Sequence, residues 1–221
     1  MQLRMIYHLC EICNHLKRYK NIFSKNVFQS FEILIHGILL VDGGINCKKI
    51  SRQMIRKKSS QALSYFLNKA RFSLDKLISL RLLESIKFAL KQKFQEYAFF
   101  IIDDSTFKKK KYKKSQGVGV NYDSYSKSAR RSQCLVMSSF IINGFHGIFK
   151  TMFYVTKKHI APRLFKTKSL MAVDLLTRFS KFINENKLIN FKWIVLIDGG
   201  YTNAMIMQFL ASSVFEGFIG R

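Results

Sequence analysis

The chain has 221 residues, of which 48% are hydrophobic and 14% aromatic, and it contains a single proline. This composition excludes a wholly disordered chain, a collagen-like chain and a proline-rich linker, and the length allows one large domain or two small ones. Lysine and arginine number 38 against 13 acidic residues, and the resulting net charge of +25 predicts a polyanionic partner.

The N-terminal cysteines do not make a convincing metal site. Cys10 and Cys13 form a CxxC flanked by His8 and His15, but no second ligand pair follows at suitable spacing, which favours buried thiols over zinc. The irregular cysteine spacing, with no recognisable secretory leader, indicates a reducing compartment. The longest uncharged apolar run near the N-terminus, residues 33–41, is far shorter than the roughly 20 residues of a membrane helix. We therefore expect a protein that does not span a membrane.

Residues 1–95 predict an all-helical N-terminal domain. Apolar residues recur at helical spacing over 28–40 and again over 74–90. Two shorter helices are predicted between them, over 50–56 and 60–70. This pair permits a helix-turn-helix whose second helix would lie in the major groove of DNA, with two ordinary packed helices as the alternative. The first domain is therefore a candidate DNA-binding domain.

A second domain, residues 96–221, begins where the pattern changes. An unbroken apolar run over 97–102 predicts a central strand that is buried on both faces and ends at Asp103-Asp104. A basic loop follows, with six lysines: Lys108, Lys109, Lys110, Lys111, Lys113 and Lys114. We expect these lysines to bind a phosphodiester backbone, and the alternative is a solvated surface loop.

The remaining elements of this domain alternate between strand and helix. They are strands over 134–142 and 145–155, a helix over 171–185, a strand over 194–197, a helix over 203–211 and a strand over 214–219. Asn143-Gly144 predicts a tight hairpin turn between the strands over 134–142 and 145–155, because both residues tolerate positive φ. The order predicts an α/β fold in which a mixed sheet is flanked by helices.

Two aspartates, Asp103 and Asp198, each follow a buried strand directly. If those strands are parallel and adjacent, both carboxylates emerge at the same sheet edge, where ligands of open α/β sheets bind. Carboxylates suit hard divalent cations such as magnesium, and a metal pair about 3.5–4 Å apart can stabilise both the attacking and the leaving oxygen of a phosphoryl displacement. Either aspartate alone would indicate only a turn, but the pair in this strand order favours a metal site.

Three stretches resemble a known family. Residues 101–106 (IIDDST), residues 117–119 (GVG) with 122–123 (YD), and residues 196–201 (LIDGGY) resemble the DDE-type transposases of bacterial insertion sequences, specifically the insertion-sequence-four-like group. Segment 60–83 also resembles the helical region that such enzymes carry before the catalytic core. The resemblance implies an RNase H-like core in the second domain.

The resemblance further implies a cut-and-paste transposase, which cleaves double-stranded DNA at element ends and joins the freed 3′-hydroxyl to target DNA using two Mg²⁺ or Mn²⁺ ions. Asp103 and Asp198 match the first and second catalytic, metal-binding aspartates. Asp104 is an alternative to Asp103, which we prefer because it directly continues the apolar strand. The implied location is the bacterial cytoplasm, in association with the nucleoid, and a homo-oligomer on DNA is a candidate assembly.

The third acidic residue of that family has no counterpart here. It lies on a helix beyond the last core strand, whereas Glu216, the only acid after Asp198, falls within the strand predicted over 214–219. We therefore expect a truncated fragment that binds DNA but does not complete transposition unaided. Two other functions stay open, a non-catalytic DNA-binding remnant and a self-sufficient RNase H-like nuclease.

Overall fold

The structure, a computed structural model, describes residues 10–54, 58–108, 117–123 and 127–220. It divides into two compact units, Met1–Leu83 and Glu84–Arg221. The first unit holds helices α1 (Cys10–Lys17), α2 (Lys25–Leu40), α3 (Cys47–Gln53), α4 (Ser60–Lys69) and the larger part of α5 (Leu74–Ala89). Its described residues contain no strand, in agreement with the helical prediction.

Helix α3 begins three residues earlier than its apolar pattern predicts. The reason is a cap: the side chain of Asn46 accepts a hydrogen bond from the backbone N–H of Lys49 at 2.9 Å, which satisfies a donor at the helix start. The last predicted residues of this helix, 55 and 56, lie outside the described residues. Helices α3 and α4 thus follow each other along the chain as predicted, and their role in groove binding stays a prediction.

The core of the first unit is aromatic. Phe23 stacks on Phe31 with ring centroids 4.8 Å apart and lies 6.3 Å from Phe66. Helices α2 and α3 approach closely at Gly37, where an added Cβ would lie 2.4 Å from a methyl carbon of Ile50. The crossing of these two helices therefore depends on a residue without a side chain at this position.

The second unit contains a six-stranded sheet. Its strands are β1 (Tyr97–Lys108), β2 (Val118–Asp123), β3 (Ser128–Ile142), β4 (Phe145–Tyr154), β5 (Lys192–Ile197) and β6 (Gly217–Gly220). Helix α6 (Lys168–Glu185) connects β4 to β5, and helix α7 (Ala204–Ala211) connects β5 to β6.

Strand β1 lies inside the sheet, between β3 and β5. It runs antiparallel to β3 and parallel to β5, and β6 is parallel to β5. Strands β2 and β4 pair antiparallel with successive stretches of β3, residues 128–133 and 134–142. This topology confirms the predicted mixed sheet flanked by helices and resembles the RNase H-like fold.

Helix α6 packs on one face of this sheet through aromatic side chains. Phe179 stacks on Phe100 of β1 with centroids 3.9 Å apart and meets Trp193 of β5 edge-on at 4.8 Å, and all three side chains are buried. Because side chains alternate between the two faces of a strand, Asp104 lies on the face of Phe100 and Asp103 on the opposite face. The two neighbouring aspartates therefore have different surroundings.

The predicted end of β1 at Asp103-Asp104 is wrong for the sheet as a whole. The strand continues to Lys108 because its antiparallel pairing with β3 persists to the Lys108–Ser132 pair. Its parallel pairing with β5, however, stops at Ile102 opposite Ile197. The apolar run therefore marks the part of β1 that pairs in parallel with β5. Only one of its faces is fully buried, at Ala98, Phe100 and Ile102, so the predicted burial on both faces is wrong.

The sequence patterns also missed β2 and the first six residues of β3. These two segments pair with each other, but they are polar, glycine-containing and arginine-containing, so no alternation of apolar residues revealed them. At the other edge, β6 begins three residues later than predicted, which leaves Glu216 in the turn before it. None of the helices in the described parts of the chain is long and apolar enough to cross a membrane.

Candidate functional site

The parallel pairing of β1 and β5 stops where β5 ends, beside the middle of β1. The parallel register runs from Tyr97 opposite Lys192 to Ile102 opposite Ile197. Asp103, within β1, and Asp198, just after the end of β5, are the next residues along the two segments, and neighbouring strands lie about 4.8 Å apart. The prediction that these strands are adjacent and parallel is confirmed, and the two aspartates follow equivalent positions of the register.

The two carboxylates have matching local geometry. In each, Oδ1 accepts a hydrogen bond from the backbone N–H of the next residue at 2.7 Å, from Asp104 for Asp103 and from Gly199 for Asp198. Asp198 thereby caps the short 3-10 turn Gly199–Tyr201. Both side chains are exposed. This hydrogen bond orients each carboxylate. It uses only Oδ1, so Oδ2 of each aspartate takes no part in it.

This donor set fits a hard divalent cation in part. Asp103 and Asp198 offer oxygen atoms of the kind that Mg²⁺ and Mn²⁺ prefer, on neighbouring strand ends. Within the described residues, however, no group of three or more histidine, cysteine or acidic side chains lies close enough to hold a metal. The arrangement therefore supplies two carboxylates and leaves the remaining ligand positions to substrate, water or another acidic side chain.

Asp104 makes contacts that Asp103 does not. Its Oδ2 accepts a charge-assisted hydrogen bond from Nζ of Lys168, the first residue of α6, and a weaker one from Sγ of Cys134 at 3.4 Å. The side chain of Asp104 is 22% exposed. Because this carboxylate is engaged on the face of the sheet that α6 covers, Asp103 is the better placed of the two for an external ligand.

Burial and charge change the titration of the two groups around Asp104. Burial raises the pKa of the Cys134 thiol to about 11, and the charge of Asp104 adds to this effect while that of Lys168 opposes it. For Lys168, burial alone would lower the pKa, but the hydrogen bond to Asp104 and the charges of Cys134 and Asp104 raise it overall. Near neutral pH the cluster therefore contains a neutral thiol and an ammonium group.

Glu216 does not complete the site. Its backbone N–H donates to the carbonyl oxygen of Trp193 at 2.9 Å, so it lies beside the amino end of β5. Asp198 follows the opposite end, five residues farther on, which is about 16 Å along a strand. A metal ion held by Asp198 is out of reach of this carboxylate.

Only one lysine of the predicted basic loop is among the described residues, and it belongs to a strand instead of a loop. Lys108 is the last residue of β1, and the other five lysines of the run, at positions 109–114, lie outside the described residues. Sequence reasoning missed two neighbours of the site, Lys168 and Tyr201. The one available signal was that Tyr201 follows Asp198-Gly199-Gly200 directly, whereas Lys168 is one of many lysines and nothing local distinguishes it.

Comparison with solved structures finds weak, extended similarity to Mos1 complexes. A pre-cleavage Mos1 transpososome matches 85% of this chain and 58% of its own, with 13% identity and a TM-score of 0.28. The Mos1 mariner paired end complex with Mn matches 96% and 68%, with 10% identity and a TM-score of 0.30. The Mos1 strand transfer complex matches 85% and 56%, with 14% identity and a TM-score of 0.24. The chain thus spans little more than half of the first of these proteins.

No curated protein sequence matches the chain at a significant level. A family described as DDE superfamily endonuclease matches residues 18–141. That segment begins in the helical unit and includes β1 with Asp103, β2 and nearly all of β3. Since the match covers more than half of the chain, this protein belongs to the DDE superfamily of endonucleases.

Proposed function

We propose that this chain is the DNA-binding and partly assembled catalytic portion of a bacterial transposase of the insertion-sequence-four-like group. The observation that carries the proposal is the juxtaposition of Asp103 and Asp198 after equivalent positions of two parallel strands, in a chain that belongs to the DDE superfamily. A transposase of this kind works on cellular DNA, so its proposed location is the bacterial cytoplasm, associated with the nucleoid.

In this proposal Asp103 and Asp198 would hold Mg²⁺ or Mn²⁺ and orient the cleaved phosphodiester relative to the metal ion. The metal, when bound, would stabilise the charge that develops on the attacking and leaving oxygens. The chain's own contribution is geometric: the strand ends fix the two carboxylates side by side, and each backbone N–H holds one carboxylate oxygen in place. Such preorganisation avoids a conformational cost when the ligand binds.

Double-stranded DNA, as element ends and as target, is the proposed partner. The net charge of +25 favours a polyanion. Beyond the lysine run at 108–114, the segment between β4 and α6 carries Lys157, Lys158 and Arg163. Strand β4 points in the same direction as β1, because both are antiparallel to β3. This segment therefore leaves the sheet at the end where Asp103 lies. A second copy of the chain on the same DNA is a candidate partner.

We further propose that this chain does not cleave DNA alone. The support is the small number of carboxylates available among the described residues, since Glu216 lies at the wrong end of β5 and the acids of α6 are used elsewhere. Asp174 pairs with Arg178 at 3.0 Å, and Glu185 pairs with Lys181 at 3.7 Å. A third acidic ligand would then come from another segment of polypeptide.

The proposal is tested by measuring Mn²⁺ binding and DNA cleavage on the same purified chain. We expect Mn²⁺ binding that Asp103→Asn and Asp198→Asn abolish, and that Asp174→Asn, a matched acid-to-amide change on α6, leaves unchanged. We also expect no cleavage of supercoiled plasmid in Mg²⁺ or Mn²⁺. Mn²⁺ binding that survives both site variants would refute the metal site, and cleavage that depends on Asp103 would refute the inactive fragment.

A non-catalytic DNA-binding remnant is the second candidate, and the basic composition favours it. Both candidates require DNA binding, which is tested by measuring the affinity of the chain for duplex DNA at several salt concentrations. Replacing all six lysines of the run by glutamine should reduce the slope of log affinity against log salt by about 0.9 for each lost phosphate contact. An unchanged slope would show that the run is a solvated surface. The remnant is distinguished from the transposase fragment by DNA binding without any Asp103-dependent Mn²⁺ binding.

A further inference from the structure

The half-buried ion pair between Asp104 and Lys168 lies directly behind the candidate metal site. Asp104 follows Asp103 on β1, and its side chain is on the face that α6 covers, with 22% of it exposed. A carboxylate in such a position is costly unless a cation and hydrogen-bond donors satisfy it. Lys168 and Cys134 supply both, and the Lys168 ammonium also lies 5.6 Å from the ring centroid of Tyr154 on β4.

Lys168 also fixes the start of α6 relative to β1. It is the first residue of that helix, which Thr167 caps by accepting a hydrogen bond from the N–H of Leu170 at 3.2 Å. The ammonium reaches across to the residue after Asp103. The backbone that carries the first candidate ligand is therefore connected by an ion pair to a capped helix end.

The turn that follows Asp198 is connected to the same helix end. Asn203 donates a side-chain hydrogen bond to Oγ of Ser169, the residue after Lys168, at 2.8 Å. Tyr201 is only 2% exposed, and its hydroxyl makes no hydrogen bond of good geometry within the described structure. Burial raises the pKa of this hydroxyl, and the charge of Asp104 raises it further.

The residues behind both candidate ligands thus converge on the first turn of α6. Asp103 is followed by Asp104, which bonds Lys168, and the turn after Asp198 leads to Asn203, which bonds Ser169. Resting on the metal site proposed above, we infer that Lys168 is a positioning residue, which sets the separation of the Asp103 and Asp198 carboxylates through its ion pair with Asp104. Residues that orient metal ligands from behind commonly change metal affinity by 10- to 100-fold when replaced.

The test compares four versions of the full chain: wild type, Lys168→Met, Lys168→Arg and, as a matched control, Lys181→Met. Lys181 is also on α6, but its ion pair with Glu185 is exposed and far from the first turn of the helix. Mn²⁺ affinity is measured by electron paramagnetic resonance, and amide hydrogen exchange is followed over residues 103–106 and 198–203. Urea unfolding of each variant identifies any that no longer folds, and Lys168→Arg provides a folded conservative variant in that case.

We expect Lys168→Met to weaken Mn²⁺ binding at least tenfold and to speed exchange in both segments, with Lys168→Arg close to wild type and Lys181→Met unchanged. Wild-type Mn²⁺ affinity in a folded Lys168→Met variant would overturn the inference and leave the metal site intact. Faster exchange in only one segment would also overturn it, since the inference requires both strand ends to respond. A wild-type chain that binds no Mn²⁺ through Asp103 would overturn the proposed site and the inference together.

Discussion

Asp103 and Asp104 are adjacent and chemically identical, yet replacing them by asparagine should have opposite consequences. Asp104→Asn removes the anion that compensates the half-buried ammonium of Lys168. Asp103→Asn removes an exposed charge that lies close to the charge of Asp198. We therefore expect Asp104→Asn to lower the free energy of unfolding and Asp103→Asn to leave it unchanged or to raise it slightly, while only Asp103→Asn abolishes Mn²⁺ binding.

The size of the Asp104→Asn effect follows from the exposure of the pair. Exposed ion pairs contribute about 0–1 kcal/mol, whereas breaking a fully buried pair costs about 3–5 kcal/mol. Here the acid is 22% and the base 37% exposed, so solvent screens part of the interaction. An intermediate loss of about 1–2 kcal/mol is expected. For Asp103→Asn, a change within about 0.5 kcal/mol in either direction is typical of an exposed site.

The chain offers a convenient reporter for this measurement. Its only tryptophan, Trp193, is buried in β5 beneath α6. Urea unfolding followed by tryptophan fluorescence therefore reports on the second unit, to which both aspartates belong. If Asp103→Asn proves the more destabilising change, or if Asp104→Asn is neutral, the assignment of the two side chains to opposite faces is refuted.

Three further predictions concern the core, the buried thiol and the packing of two helices. Phe179→Ala should lower the free energy of unfolding by about 3–5 kcal/mol because its buried ring contacts aromatic residues of β1 and β5. Phe218→Ala on the exposed edge strand should lower it far less, and similar losses for the two variants in urea unfolding would contradict this. Burial raises the pKa of Cys134 from 9.0 to about 11, so between pH 9 and 11 the unfolded chain releases a thiol proton that the folded chain retains. Under reducing conditions, the free energy of unfolding should therefore fall across this range by at most about 1.4 kcal/mol per pH unit from this group, and Cys134→Ala should show a shallower fall; equal slopes would argue against the buried thiol. Gly37→Ala should lower the free energy of unfolding by the roughly 1–3 kcal/mol typical of overpacking, and with it the melting temperature, because the new methyl collides with Ile50. An unchanged melting temperature would show that the two helices separate freely there.

The parallel half of the sheet and its two terminal aspartates were predictable from the sequence. A parallel strand inside a sheet is apolar almost throughout, so the runs before Asp103 and Asp198 indicate such strands without knowledge of their partners, although only one face of each is fully buried. The alternation of strand and helix between them requires a crossover, which makes parallel neighbours the expected arrangement. Local composition therefore determined the architecture of the core and the place of the candidate ligands.

The extension of β1 beyond Asp103 and the separate environments of Asp103 and Asp104 were decided only by tertiary structure. Segments 118–123 and 128–133 become strands because they pair with each other, and this stabilisation does not depend on an apolar pattern in either segment. Likewise, the sequence Asp103-Asp104 contains no indication of which carboxylate is engaged. The partner of Asp104 is Lys168, 64 residues away. An ion pair between distant residues depends on how the helix and the strand pack, and no local pattern of residues can encode that contact.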